Sequence, residues 1–237
     1  MNEPARILIH GASGRMGQAL LRLAAGRDDL RVVAAVSRSK PTQRVIDGVP
    51  QFAVAEAHGV PAFDVAVDFS LPDGFEAVLA MCQERGAGLV SGTTGLDERQ
   101  QRAIDLAGER VPVLWAANFS LGVAVLGDLV QRAAAALHGW DCDIVESHHV
   151  HKKDAPSGTA LALGSRAEQG GLRPRYASLR AGDIVGEHTV QLTGPGERLE
   201  LVHRATDRDV FARGALLAAK RLAGRPPGRY RVADLFL

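Results

Sequence analysis

Short apolar runs alternate with amphipathic stretches through the first half of the chain. Runs near 5–10, 31–36, 64–69, 88–91 and 111–115 read as strands. Between them, 15–25, 74–85 and 97–108 space apolar residues by three and four, which predicts helices. Gly26, Gly86 and Gly108 stand where the C-caps of those helices belong. Alternating strands and helices of this kind pack helices on both faces of a parallel sheet, so the expected class is α/β with a doubly wound, Rossmann-type sheet.

After residue 120 the texture changes. Leu121–Leu137 is rich in alanine and leucine and predicts a long helix leaving the first domain. Trp140–Ser147 reads as a strand and Thr159–Gln169 as a helix. Two further strands, 186–194 and 197–204, are joined through Gly194-Pro195-Gly196. Val210–Leu222 is again amphipathic and is expected to return to the first domain. The expected division is a doubly wound domain over 1–119 and 207–237, with a second, smaller α+β domain over 120–206.

Composition narrows the partners. Lysine plus arginine total 28 and aspartate plus glutamate 27, a balance too even to hold a nucleic-acid backbone. A small-molecule partner fits better. Cys82 and Cys142 form no C-x-x-C, so the expectation is two buried thiols in a reducing compartment, without disulfide framework or zinc ribbon. No uninterrupted apolar run reaches the roughly 18 residues that span a bilayer. The first strand runs straight into a glycine-rich turn with no signal-peptide cleavage site, so no membrane partner and a cytoplasmic location are expected.

That turn, Gly11-Ala12-Ser13-Gly14-Arg15-Met16-Gly17, follows a strand and opens a helix, the context a dinucleotide fingerprint needs. Its G-x-x-G-x-x-G spacing still offers a tight turn, a side-chain-free approach to a pyrophosphate and outward amides at a helix start. An ordinary βα loop would carry similar glycines. At the end of the second strand, where an acid commonly binds the adenosine ribose, stands Ser37, followed by Arg38 and Lys40. Loss of a carboxylate and gain of cations favour a 2′-phosphate, with Arg38 the preferred partner, so NADPH is expected ahead of NADH. Gly92-Thr93-Thr94-Gly95 and Ala116-Ala117-Asn118-Phe119-Ser120 also follow strands, at carboxyl ends where open α/β sheets bind ligands.

The densest chemistry lies in Glu146-Ser147-His148-His149-Val150-His151-Lys152-Lys153-Asp154-Ala155-Pro156-Ser157-Gly158-Thr159-Ala160. Three histidines and two lysines share one loop between a strand and a helix, which packing does not require. Histidine trades protons near neutral pH, and lysine is a compact cation for a carboxylate or developing anion. Ser157-Gly158-Thr159 adds a capping hydroxyl and amides at a helix start. Together they describe a site for an acidic substrate. A metal site is the rival reading of the histidines, but neighbouring residues on a strand face opposite ways and the lysines repel a cation, so no metal is expected.

This segment resembles the signature E-x-H-H-x-x-K-x-D-A-P-S-G-T-A of the 4-hydroxy-tetrahydrodipicolinate reductase family, at every fixed letter. The resemblance extends to G-x-x-G-R-M-G at 11–17, G-T-T-G at 92–95, A-N-F-S at 117–120 and R-A-G-D-I-V-G-E-H at 180–188. It implies that His148 is the general acid/base and Lys152 a proton donor or electrostatic partner. It also implies that His149, Lys152, Ser157, Gly158 and Thr159 hold substrate carboxylates. Gly11, Ala12, Ser13, Gly14, Arg15, Met16, Arg38, Gly92, Thr93, Thr94, Ala116, Ala117, Asn118 and Phe119 would line NADPH or NADH. The implied reaction is loss of water from a hydroxylated ring dicarboxylate, then hydride transfer to the conjugated imine, in a homotetramer. The chain differs from many members in its short 170–179 segment and in Ser37.

Overall fold

A computed structural model describes residues 3–236, so Met1, Asn2 and Leu237 of the first expected domain lie outside the described residues. The chain divides into two compact units, Met1–Phe119 with Phe211–Leu237, and Ser120–Val210.

In the first unit, β1 (Ala5–His10), α1 (Arg15–Ala24), β2 (Leu30–Ser37), β3 (Val45–Ile46), β4 (Val49–Ala53), β5 (Val65–Asp68), α2 (Pro72–Arg85), β6 (Gly88–Ser91), α3 (Glu98–Gly108) and β7 (Pro112–Trp115) follow one another. The order across the eight-stranded sheet is β12-β7-β6-β5-β1-β2-β4-β3, where β12 is Gly228–Tyr230 near the C-terminus. All pairings are parallel except β3 with β4. Chain order reverses direction between β1 and β5, so the crevice at their carboxyl ends is the topological switch point where such sheets bind ligands. Leu8, Ala66, Leu89 and Val113 pack with Phe75, Val78, Leu79 and Ile104 of α2 and α3. Their strand neighbours Ile7, Ile9, Val65, Val67, Val90 and Leu114 are equally buried and by alternation face the other side. Burial on both faces explains the continuous apolar runs.

Gly26 and Gly86 take positive φ just past their helices, as expected of C-caps. Gly108 does not: it is the last helical residue, and Glu109 is the cap. A Cβ there would lie 3.2 Å from the backbone nitrogen of Arg229 in β12, so close packing explains this glycine. Three described strands of this unit lie outside the expected set. β3 and β4 form a hairpin whose turn, Asp47-Gly48, has positive φ at both residues, as a type I′ turn requires. The third is β12.

The second unit contains α4 (Leu121–Ala136), β8 (Asp141–His148), α5 (Gly158–Gln169), β9 (Pro174–Arg180), β10 (Gly186–Gly194) and β11 (Glu197–Ala205). Its sheet runs β11-β10-β8-β9, with β9 parallel to β8 and the others antiparallel. The short segment before the R-A-G-D motif is therefore largely strand, joining the sheet edge with proline at its first position. Cys142, Ile144, Val190 and Leu192 turn toward Leu126, Val130, Leu163 and Ala167 of α4 and α5. After β11 the chain enters α6 (Asp209–Leu222), and α7 (Val232–Phe236) follows β12. Cys82 and Cys142 are buried and unpaired. No helix among the described residues is long and apolar enough to cross a membrane.

Candidate active site

In the first unit the glycine-rich turn begins directly after His10, the last residue of β1. Gly11 has φ +77°, and a Cβ on it would lie 2.7 Å from the Phe69 carbonyl. Gly17 has no room for a side chain against Gly11 and Ala12, so α1 starts pressed onto the turn. Gly14 caps α1 without a side-chain acceptor, and the first turn carries no acid. The amides of Ser13, Arg15 and Met16 find no acceptor among the described residues. Ser13, Gly14 and Arg15 are exposed, whereas Ala12 is buried. A positive helix end stripped of side chains and acids fits a pyrophosphate. Ser37 ends β2, and Arg38 beyond it is exposed with no ion pair to any described residue.

The expected contacts after β6 and β7 divide. Thr94 is exposed, but Thr93 is buried and fully engaged. Its hydroxyl donates to Asp68 at 2.7 Å, its carbonyl accepts from Trp115 Nε1 at 2.8 Å, and its amide donates to Ser91 Oγ at 3.3 Å. Gly92 is required by the Phe69 ring, which occupies the space of a side chain. Ala117 is exposed and Ala116 and Asn118 are partly so, whereas the Phe119 ring is buried 5.7 Å from that of Phe69. Thr93 and Phe119 thus serve the frame of this site through their side chains. The hub of the frame is Asp68, fully buried at the end of β5. It also accepts from Ser91 Oγ at 2.8 Å and the Ser70 amide at 3.1 Å, and it lies 2.8 Å from His10 Nδ1. Burial alone would raise its pKa, yet these donors hold the carboxyl below its ordinary range.

In the second unit, Glu146 and His148 are two apart on β8 and so share a face, the one turned toward the helices. Glu146 is completely buried and hydrogen bonds His148 Nδ1. Arg180, placed by the parallel register of β9, grips both carboxylate oxygens at 2.9 and 2.8 Å and also donates to the Asp154 carbonyl. Burial would raise the Glu146 carboxyl, but Arg180, Ser178 and His148 hold it at about 2. An ionised carboxylate only accepts, so His148 donates through Nδ1 and keeps Nε2 for other work. Burial pushes the His148 pKa down; Glu146 opposes this, while Lys152 and Arg180 reinforce it. Gly186 lies against that ring, where a Cβ would be 3.0 Å from Nε2.

The loop after β8 gathers cations. Lys152 Nζ is 2.9 Å from the exposed carboxylate of Asp154. The His149 and His151 rings stand 6.2 Å apart, and His149 is pushed below its ordinary pKa by desolvation, then by Arg208, His151, His148 and Lys152. Ser157 caps α5 and is buried, its Oγ accepting from the Ala160 amide at 3.2 Å and lying 3.1 Å from His188 Nε2. Its hydroxyl is therefore committed to the protein. Gly158 is exposed, its amide has no acceptor among the described residues, and a Cβ there would meet nothing. Thr159 is half-buried beside it. Among the described residues, no group of three His, Cys, Asp or Glu side chains is placed to hold a metal ion.

Sequence reasoning gave no role to Glu146, Arg180, His188 or Arg208. The E-x-H spacing on a strand would have paired the first with His148, whereas the others depend on strand register and chain return.

Two family profiles match the chain end to end: dihydrodipicolinate reductase, N-terminus, over residues 5–119, and dihydrodipicolinate reductase, C-terminus, over 122–236. A 4-hydroxy-tetrahydrodipicolinate reductase of Stenotrophomonas maltophilia is 69% identical over 237 residues, covering 99% of each chain. One of Xylella fastidiosa is 64% identical over 237 residues and covers 100% of each. Among solved structures, a dipicolinate-bound dihydrodipicolinate reductase from Paenisporosarcina sp. TG-14 superposes with a TM-score of 0.80 at 21% identity, over 99% of this chain and 100% of that one.

Proposed function

This chain belongs to the dihydrodipicolinate reductase family and is an NAD(P)H-dependent 4-hydroxy-tetrahydrodipicolinate reductase of the diaminopimelate route to lysine; from that premise, we propose which residues carry the reaction. The observation that carries the assignment is the buried Glu146–His148 pair beside the open start of α5 and a loop of cations.

Each turnover expels water from the ring, then adds a hydride and a proton. NAD(P)H supplies the hydride when bound. The amides of Ser13, Arg15 and Met16 at the start of α1 hold its pyrophosphate, with Gly11, Ala12 and Gly14 allowing the approach. Gly92, Thr94, Ala116, Ala117 and Asn118 line the path of the nicotinamide, framed by Thr93 and Phe119. The Gly158 amide, with Thr159, takes one substrate carboxylate; Lys152 and His149 meet the dicarboxylate from the loop. Lys152 exchanges exposed Asp154 for substrate at small cost, because a surface ion pair is worth about 0–1 kcal/mol. His148, steered by Glu146 through Nδ1, delivers the proton from Nε2 to the electron-rich ring left by hydride addition. Adding 4-hydroxy-tetrahydrodipicolinate to the protein with NADPH and following the reduced-nicotinamide absorbance tests the activity.

We assign the cofactor preference to Arg38. Ser37 removes a carboxylate that would repel a 2′-phosphate, and Arg38 is unpaired and exposed beside it. One charge-assisted hydrogen bond is worth about 1.5–3 kcal/mol, so Arg38→Ala should weaken NADPH about tenfold or more and spare NADH. Equal losses for both cofactors in fluorescence titrations would remove this role.

A homotetramer is assigned to the second unit's sheet. α4 and α5 cover one face; the other carries the row Ala177–Val145–Thr189–Val202 between rows rich in charge, and Val202 is exposed. A sheet face with an apolar centre and a charged margin suits a self-complementary interface. Light scattering should give four times the chain mass at micromolar concentration; a monomer would refute it.

A further inference from the structure

We infer that His188 is a positioning residue for carboxylate binding, fixing through the Ser157 hydroxyl the first turn of α5 on which the substrate rests. The inference depends on the dicarboxylate reading above. His188 and Glu146 are directly opposed in the β10–β8 ladder, and they hold two atoms of the same residue. Glu146 Oε1 accepts the Ser157 amide at 3.2 Å, and His188 Nε2 meets the Ser157 hydroxyl at 3.1 Å. The sheet thus grips the N-cap of α5 at both its amide and its side chain. The same His188 ring stands edge-on to His148, with centroids 5.2 Å apart. One imidazole therefore touches both the carboxylate platform and the proton donor.

Packing alone does not account for His188. Its Nδ1 is buried without a hydrogen-bond partner among the described residues, a costly arrangement that an aliphatic side chain would avoid. Burial, reinforced by His148, holds the ring neutral, with a pKa pushed down to about 4. A neutral ring can engage the hydroxyl in either tautomer without placing a second charge beside His148.

A built-in comparison lies one strand away. His203, directly opposed to His188 in the β10–β11 ladder, meets Ser120, the N-cap of α4, at 3.2 Å, and its Nδ1 is likewise buried and unpartnered. There the imidazole covers the helix start: a Cβ on Gly122 would be 2.7 Å from the His203 ring. At α5 the space at Gly158, the residue directly after its own cap, is open. The same serine–histidine device closes one helix start and presents the other.

The test uses the full-length protein and dipicolinate as the dicarboxylate probe. His188→Phe keeps an aromatic ring but loses Nε2. It should raise the dipicolinate Kd and the substrate KM about three- to tenfold, the effect of one buried hydrogen bond, with a smaller fall in kcat and an unchanged NADPH Kd. His188→Gln, whose amide can reach Ser157, should restore most of the affinity. Ser157→Ala should show the same loss, and the double variant with His188→Phe no further loss, because both break one linkage. If His188→Phe does not fold, His188→Asn, too short to reach Ser157, carries the same expectation. Wild-type dipicolinate affinity in the His188 variants, or additive losses in the double variant, would overturn the inference alone. Failure of the wild-type protein to bind dipicolinate would overturn the functional reading as well.

Discussion

Replacing His148 by Gln lowers kcat by about 10²–10⁴-fold with a modest change in KM, the effect of removing a positioned proton donor. Glutamine retains polarity and approximate bulk but cannot exchange a proton near neutral pH. The pH profile gives the sign. Burial outweighs Glu146 at His148, so its pKa lies below the ordinary imidazole value. As pH rises through that lowered value the free enzyme loses the proton to be delivered, and kcat/KM falls. A dicarboxylate bound beside the ring favours the imidazolium, so the matching limb in kcat lies at higher pH. Both limbs disappear in His148→Gln. Near wild-type kcat in that variant would move the donor to His149 or water.

Replacing Glu146 by Leu removes about 3–5 kcal/mol of stability and most of the activity. The loss follows from stranding Arg180, whose side chain is only 19% exposed, without its carboxylate. Glu146→Gln keeps the shape but no longer enforces the Nδ1–H tautomer of His148, so kcat falls with less loss of stability. The folded-state pKa of Glu146 is about 2 against an ordinary 4.5. Its ionic stabilisation is therefore fully present above about pH 4.5 and is lost as pH falls toward 2. Urea unfolding of wild type and Glu146→Gln should show a stability gap at pH 7 that narrows through that window. A Glu146→Leu protein as stable as wild type at pH 7 would contradict the account.

The parallel core was legible because its strands are buried on both faces and separated by amphipathic helices. The edge strands were not. Asp47-Gly48 is a hairpin signal between Ile46 and Val49, but the strand before it is only two residues long and the strand after it carries Pro50. β9 carries charged and small residues, and its strand character comes from pairing with β8, including the Arg175 ion pair to Asp143 at 2.8 Å. Gly108 looked like a cap because local chain signals do not report that Arg229, far away in sequence, packs on it.

The site divides along the same line. The loop 148–160 announces its chemistry in contiguous residues, so His148, Lys152, Gly158 and Thr159 could be picked out as candidates from the chain. Ser157 could be named too, but its hydroxyl turns inward to His188. Arg180 and His188 reach Glu146 and His148 through the registers of β9 and β10, which local sequence does not encode. The Thr93 hydroxyl turns to the buried Asp68, and a threonine after a strand gives no sign of a carboxylate beneath it.

The most direct test of the central claim is a turnover with NADPH deuterated at both C4 positions and freshly generated 4-hydroxy-tetrahydrodipicolinate, read by mass spectrometry of the product. The account requires one deuterium in each tetrahydrodipicolinate ring, formed in step with loss of the reduced-nicotinamide absorbance. Cofactor oxidation without deuterium in the ring, or no oxidation when this substrate is supplied, would contradict it.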